Sequence, residues 1–201
     1  MRKAQTQAVT LVLISGIVIA LAGAAYMWGK PMIEKRTTIT QFTSAVRFMD
    51  ELDDRIVDIA RSCVTPGACE ESLSLPIAGF INVDPANNTI TYEFVVTQPL
   101  LTEGEIPLNT GNIGEVAAYG ETPGVIMMRG MAKEGVYRLV FTLHYRELYN
   151  DRQGRGYRIN LEGSGTGTGR ILITYSGSET LSNQGWYGGD LILSKMDIQV
   201  V

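Results

Sequence analysis

The chain has a single histidine, His144, and only two cysteines, Cys63 and Cys69, among 201 residues. Two cysteines with one distant histidine cannot fill the four positions of a structural zinc site, so no metal is expected. No nucleophile or orienting acid stands in a recognisable context around His144, and no enzyme is expected. Charge of one sign is lacking too: 17 Lys and Arg against 21 Asp and Glu give a formal net charge of −4. That balance leaves no basic surface for nucleic acid and no acidic surplus to keep the chain unfolded. No internal repeat of about 20 to 50 residues recurs, and no motif implies a cofactor.

Charged side chains are missing altogether from Ala8 to Trp28, where Thr10 and Ser15 are the polar exceptions. As a helix this run covers roughly 30 Å, the hydrocarbon thickness of a bilayer, with every backbone group satisfied internally. Tyr26 and Trp28 end it where amphipathic rings favour the membrane–water interface. A cleaved secretory signal fits poorly, because the apolar run is too long and no small-x-small cut site follows it. Arg2 and Lys3 precede the run and Lys30, Lys35 and Arg36 follow it, so charge counting alone does not orient it.

Beyond Gly29-Lys30-Pro31, which is expected to interrupt or kink the helix, the pattern turns amphipathic. Ile33, Ile39, Phe42, Val46, Met49, Leu52, Ile56 and Ile59 predict a helical stripe over 32–61. Such a stripe packs on a β-domain or pairs two copies as a coiled coil, and its spacing does not separate these. Asp50, Glu51, Asp53 and Asp54 are expected on its solvated side. Pro66-Gly67 then forms a turn that brings Cys63 and Cys69 together as a disulfide closing a small surface loop. The other option is two free thiols.

From residue 75 to 201 the period changes to two, as in half-buried strands. Ile90, Tyr92, Phe94 and Val96 alternate with polar neighbours after a hairpin turn at Asp84–Asn88. Tyr137, Leu139, Phe141, Leu143 and Tyr145 form the clearest inward face, with Arg138, Thr142, His144 and Arg146 outward. About seven strands are expected, with Gln98–Thr122 as a long irregular loop. The fold class is therefore α+β: a long N-terminal helix followed by an antiparallel, sandwich-like β-domain. Gly163–Arg170 is glycine-rich, but it leads into the strand-like run Ile171–Tyr175, so it reads as a flexible connection and not a phosphate cradle. Asn87-Asn88-Thr89 is a sequon for an N-linked glycan on Asn87. Arg152, Arg155 and Arg158 cluster at one predicted hairpin tip.

The extreme N-terminus, Met1-Arg2-Lys3-Ala4-Gln5, places a short basic leader directly before the apolar run. This resembles the class III signal of archaeal type IV pilins and archaellins, carried on Lys3, Ala4, Gln5 and the apolar run. The resemblance implies cleavage between Ala4 and Gln5 by a prepilin peptidase-like enzyme, with residues 1–4 as the leader and 5–61 as the long helix. It further implies a domain outside the cell membrane. The subunit would polymerise with copies of itself as Ala20, Gly23, Ala24 and Ala25 allow close helix packing. Val9 stands where many pilins carry a glutamate used in assembly. The alternative is a membrane-anchored binding or stator protein that never polymerises.

Overall fold

One helix, α1 (Arg2–Ser62), runs 61 residues without interruption, roughly 90 Å at the α-helical rise. The computed structural model describes residues 2–97, 104–133, 136–163 and 165–201, with side chains from Thr10 onward except Lys133. Pro31 lies inside the helix and does not end it, although proline deletes one backbone donor there. Around it, Thr37 and Thr38 return their hydroxyls to the carbonyls of Ile33 and Glu34, both at 3.0 Å, and Lys30 pairs with Glu34 at 3.8 Å. Of the interruption or kink expected at Gly29–Pro31, the interruption is thus not observed: the helix continues through it.

Among the described residues twelve strands follow: β1 (Glu70–Ser74), β2 (Phe80–Asp84), β3 (Thr89–Val96), β4 (Glu105–Pro107), β5 (Val116–Ala118), β6 (Gly124–Lys133), β7 (Val136–Tyr145), β8 (Glu147–Asn150), β9 (Arg155–Glu162), β10 (Gly165–Gly167), β11 (Arg170–Leu181) and β12 (Asp190–Val200). They form two six-stranded sheets, ordered β10-β2-β3-β7-β6-β4 and β1-β11-β12-β9-β8-β5. Pairing is antiparallel except for β12 with β9 and β5 with β8. The α+β layout read from the sequence is the one observed. The strand count is not, because short strands such as β4 and β5 carry too few residues to show a period.

The core lies where the second half of α1 meets both sheets. Phe42 reaches Phe141 of β7 with ring centroids 6.2 Å apart, and Phe48 meets Tyr92 of β3 edge-on at 5.4 Å. The helix therefore travels in the direction of β7, from Thr38 beside Thr97 to Asp53 beside Gly124. Ala45, Met49, Leu52 and Ile56 are fully buried, as are Ile171, Ile173, Met196 and Ile198 of the second sheet. Ile33 and Ile39 depart from the expected stripe: both remain exposed, at 66% and 44%. Coverage begins only at Thr38.

Two further expectations are overturned by how the chain changes sheet. The glycine-rich stretch is more than a connection: Gly165–Gly167 pairs with β2 in the first sheet, between β9 and β11 of the second in chain order. A Cβ on Gly167 would collide with the Val200 side chain and one on Gly165 would crowd it, so the glycines let this crossing lie close to β12. Arg146, expected to point outward, is 1% exposed. The chain passes from β7 in one sheet to β8 in the other at this residue, and strict alternation fails at such a corner. Its guanidinium donates to the carbonyls of Asn112 (2.6 Å) and Thr122 (3.0 Å) and pairs with Glu121 at 3.4 Å.

Arg146 thereby ties down the segment 112–122, which the sequence shows as irregular. Arg146→Met keeps the apolar stem but leaves those buried carbonyls unpaired, at a cost of about 3 kcal/mol. Denaturant unfolding of the full chain in detergent should show that loss. Limited proteolysis should cut the variant first within 112–122.

Candidate assembly surface

The amphipathic face of α1 ends abruptly at its N-terminal side. From Thr10 to Trp28 every side chain is exposed, including Leu11 at 72%, Ile19 at 71% and Trp28 at 85%. Exposed leucine or isoleucine is ordinary when scattered, but a continuous apolar rod is not. This helix is long and apolar enough to cross a membrane. Its polar side chain at Ser15 is satisfied within the helix, donating to the carbonyl of Leu11 at 2.6 Å, so that hydroxyl does not demand water.

Ala20, Gly23 and Ala24 share one stripe of the rod at about 100° per residue, together with Gly16. Ala25 falls on a different side. A Cβ added at Gly16 or Gly23 would meet nothing within 4 Å, so the stripe is open for another helix to approach. Lys3, Ala4 and Gln5 belong to the first turns of α1, and their side chains lie outside the described residues.

At the opposite end of α1 the expected disulfide is present: Cys63 and Cys69 are joined, with Cα atoms 6.2 Å apart. The loop it closes is stitched to β11, since Gly67 N–H donates to the Tyr175 carbonyl at 2.8 Å and Tyr175 N–H to that of Cys69 at 3.2 Å. In a loop this short the bond contributes about 2 kcal/mol.

Asn87 is exposed on the β2–β3 turn, its amide donating to Asp84 at 2.6 Å. The next residue, Asn88, was not singled out by sequence. It holds a positive φ of 54°, which asparagine tolerates. Its side chain donates to the carbonyls of Tyr145 (3.0 Å) and Ile159 (2.8 Å) and accepts from Leu161 N–H (2.8 Å). One amide thus clips β7 of the first sheet to β9 of the second.

Of the acidic group expected in solvent, Asp50, Glu51 and Asp54 are exposed, but Asp53 is 5% exposed. Its spacing had indicated this: it lies four residues after Met49 and three before Ile56, on the buried stripe. Its carboxyl occupies the space above Gly124, where any Cβ would collide with it. The Tyr145 hydroxyl faces it without a hydrogen bond of good geometry, so Asp53 Oδ1 and Tyr145 Oη both lack a partner. Burial, reinforced by Asp54 and Asp50, pushes the Asp53 carboxyl from 3.8 up to about 6 against the opposing pull of Tyr145 and Arg61. Burial likewise pushes the Tyr145 phenol well above its usual range, so it stays neutral.

Among the described residues no three His, Cys, Asp or Glu side chains gather in a way that suits a metal ion. His144 stands on the outer face 3.6 Å from Glu115. Arg152 and Arg155 are exposed at the β8–β9 turn, while Arg158, expected with them, is half-buried. No family model, curated protein or solved structure matches this chain.

The Asp53 site sets a pH dependence of defined sign. The folded chain holds a proton there more tightly than the unfolded chain, so this group favours folding most below about pH 4. The advantage falls as pH rises to about 6 and is then constant, a change of roughly 3 kcal/mol. Asp53→Asn should raise stability above pH 6 by about 1–3 kcal/mol and flatten the profile between those values. Thermal melts of the detergent-solubilised chain from pH 4 to pH 8 measure both.

Proposed function

We propose that the chain is a pilin-like or archaellin-like subunit of an extracellular helical filament. The division of α1 supports this most. One half is packed against the β-domain, while the other, from Thr10 to Trp28, presents an apolar surface on all sides that none of the described residues covers. Such a surface rests in lipid or against copies of itself. Before assembly the helix would lie in the cell membrane, and on polymerisation it would move into a bundle of like helices. The small-residue stripe at Gly16, Ala20, Gly23 and Ala24 suits that close approach.

Placing the domain outside the membrane is supported by the Cys63–Cys69 disulfide, which persists in an oxidising compartment. There the exposed Asn87 would be open to glycosylation. Processing between Ala4 and Gln5 by a prepilin peptidase-like enzyme completes this proposal. One observation favours a non-polymerising, membrane-anchored binding or stator protein instead: Val9 offers no carboxylate at the position many pilins use in assembly.

Mass spectrometry of the protein from its native membrane should find Gln5 as the first residue, whereas retained Met1 selects the plain anchor. Electron microscopy should show surface filaments in wild-type cells that vanish on deletion. Ala20→Leu with Ala24→Leu should cut filament yield severalfold while leaving the melting of the β-domain unchanged. Filaments that persist undiminished in the deletion strain rule out a major subunit.

A further inference from the structure

At the end of the domain farthest from the apolar rod, the β2–β3 turn, the β7–β8 corner and β9 enclose a cavity of about 410 Å³. That volume falls within the roughly 300–1,000 Å³ typical of small-molecule sites. Its lining departs from the usual apolar one. Asn87, Glu115, His144, Arg158 and Asn160 face it, with Trp186 at its edge. A guest buried here must bring its own hydrogen-bonding groups or leave these unpaired, which excludes a lipid or other apolar ligand.

Several neighbouring groups are already engaged. Asn88 is committed to the two sheets, Arg146 to the 112–122 segment, and the Glu147 carboxylate accepts from Trp186 N–H at 3.0 Å. His144 and Glu115 pair at 3.6 Å. Two side chains remain unclaimed. Arg158 and Asn160 lie two residues apart on β9, so they stand on one face of the strand. Among the described residues neither side chain has a partner, and Arg158 Nε is buried with its hydrogen-bonding capacity unused. A cation held in this way lacks an anion, and the guanidinium fork matches a carboxylate in bidentate fashion. Beside it the Asn160 amide offers a donor and an acceptor together, as vicinal hydroxyls require. Trp186, 64% exposed, supplies a flat apolar surface at the mouth on which the C–H face of a ring can rest.

We propose that this cavity binds an acidic saccharide of the uronic acid class, its carboxylate on Arg158, its hydroxyls on Asn160 and its ring against Trp186. The site needs only the folded domain, so it stands or falls independently of filament assembly.

The test uses the full chain, made in a host that does not glycosylate Asn87 and held in a zwitterionic detergent without a sugar headgroup. Calorimetric titration with glucuronate should give saturable heat, with affinity roughly tenfold or more above that for glucose or acetate. Arg158→Gln and Asn160→Ala should each weaken glucuronate binding by about tenfold with unchanged melting. Absence of saturable heat with glucuronate overturns the proposal. Equal affinity for glucose removes the role of the carboxylate, and equal affinity for acetate reduces the cavity to a simple anion site; either result also overturns it. Should Arg158→Gln fail to fold, Asn160→Ala decides: undiminished glucuronate binding in that variant rejects the assignment.

Discussion

The contacts of Phe42 with Phe141 and of Phe48 with Tyr92 hold the second half of α1 in the mouth of two sheets that would otherwise expose their inner faces. Ile90, Phe94 and Leu139 from one side, and Ile171, Ile173 and Ile198 from the other, share a single buried cluster with Met49, Leu52 and Ile56 of the helix. Side chains interlocked at the density of a protein interior tolerate little displacement. The direction of α1 is therefore set by the β-domain, and its uncovered N-terminal half must project from the domain along that same axis.

Apolar periodicity was legible wherever an element was long enough to repeat. The alternation of Ile90 to Val96 is observed as drawn, and so is the pairing of Cys63 with Cys69; in β7 the inward face holds from Leu139 to Tyr145, but Tyr137 at the start of the strand is exposed. The membrane-length run before residue 30 was the plainest signal of all. What escaped were places where a local rule yields to a tertiary one. Arg146 breaks parity because its strand leaves one sheet for another. Gly165–Gly167 looks like a linker until it is seen packed closely on Val200. Asp53 carries a charged name at a buried spacing, and Pro31 a helix-breaking name inside a helix. Arg158 and Asn160 resemble ordinary surface residues, because their shared cavity is built from segments distant in sequence.

Polar groups handle the joints that the apolar core cannot. Asn88 secures the two sheets at one end, and Arg146 fixes the corner beside it, so the distal end is held by directional bonds. Near the rod the domain is held by aromatic rings. This separation has a chemical logic: a buried amide or guanidinium fully supplied with partners specifies one arrangement of strands, where apolar contacts alone accept several. The apolar rod and the polar end are thus parts of one design with opposite requirements toward water.

The run of α1 alongside β7 also has a mechanical meaning. A pull applied along the rod loads the helix–sheet seam in shear, so Phe42, Phe48, Met49, Leu52 and Ile56 resist together and do not peel away one at a time. At the far end of that seam the Cys63–Cys69 bond carries tension past the small loop it closes, directly to the start of β1, which pairs with β11. Load along the axis of α1 would thus be shared by the whole seam, where load across it would fall on one contact at a time.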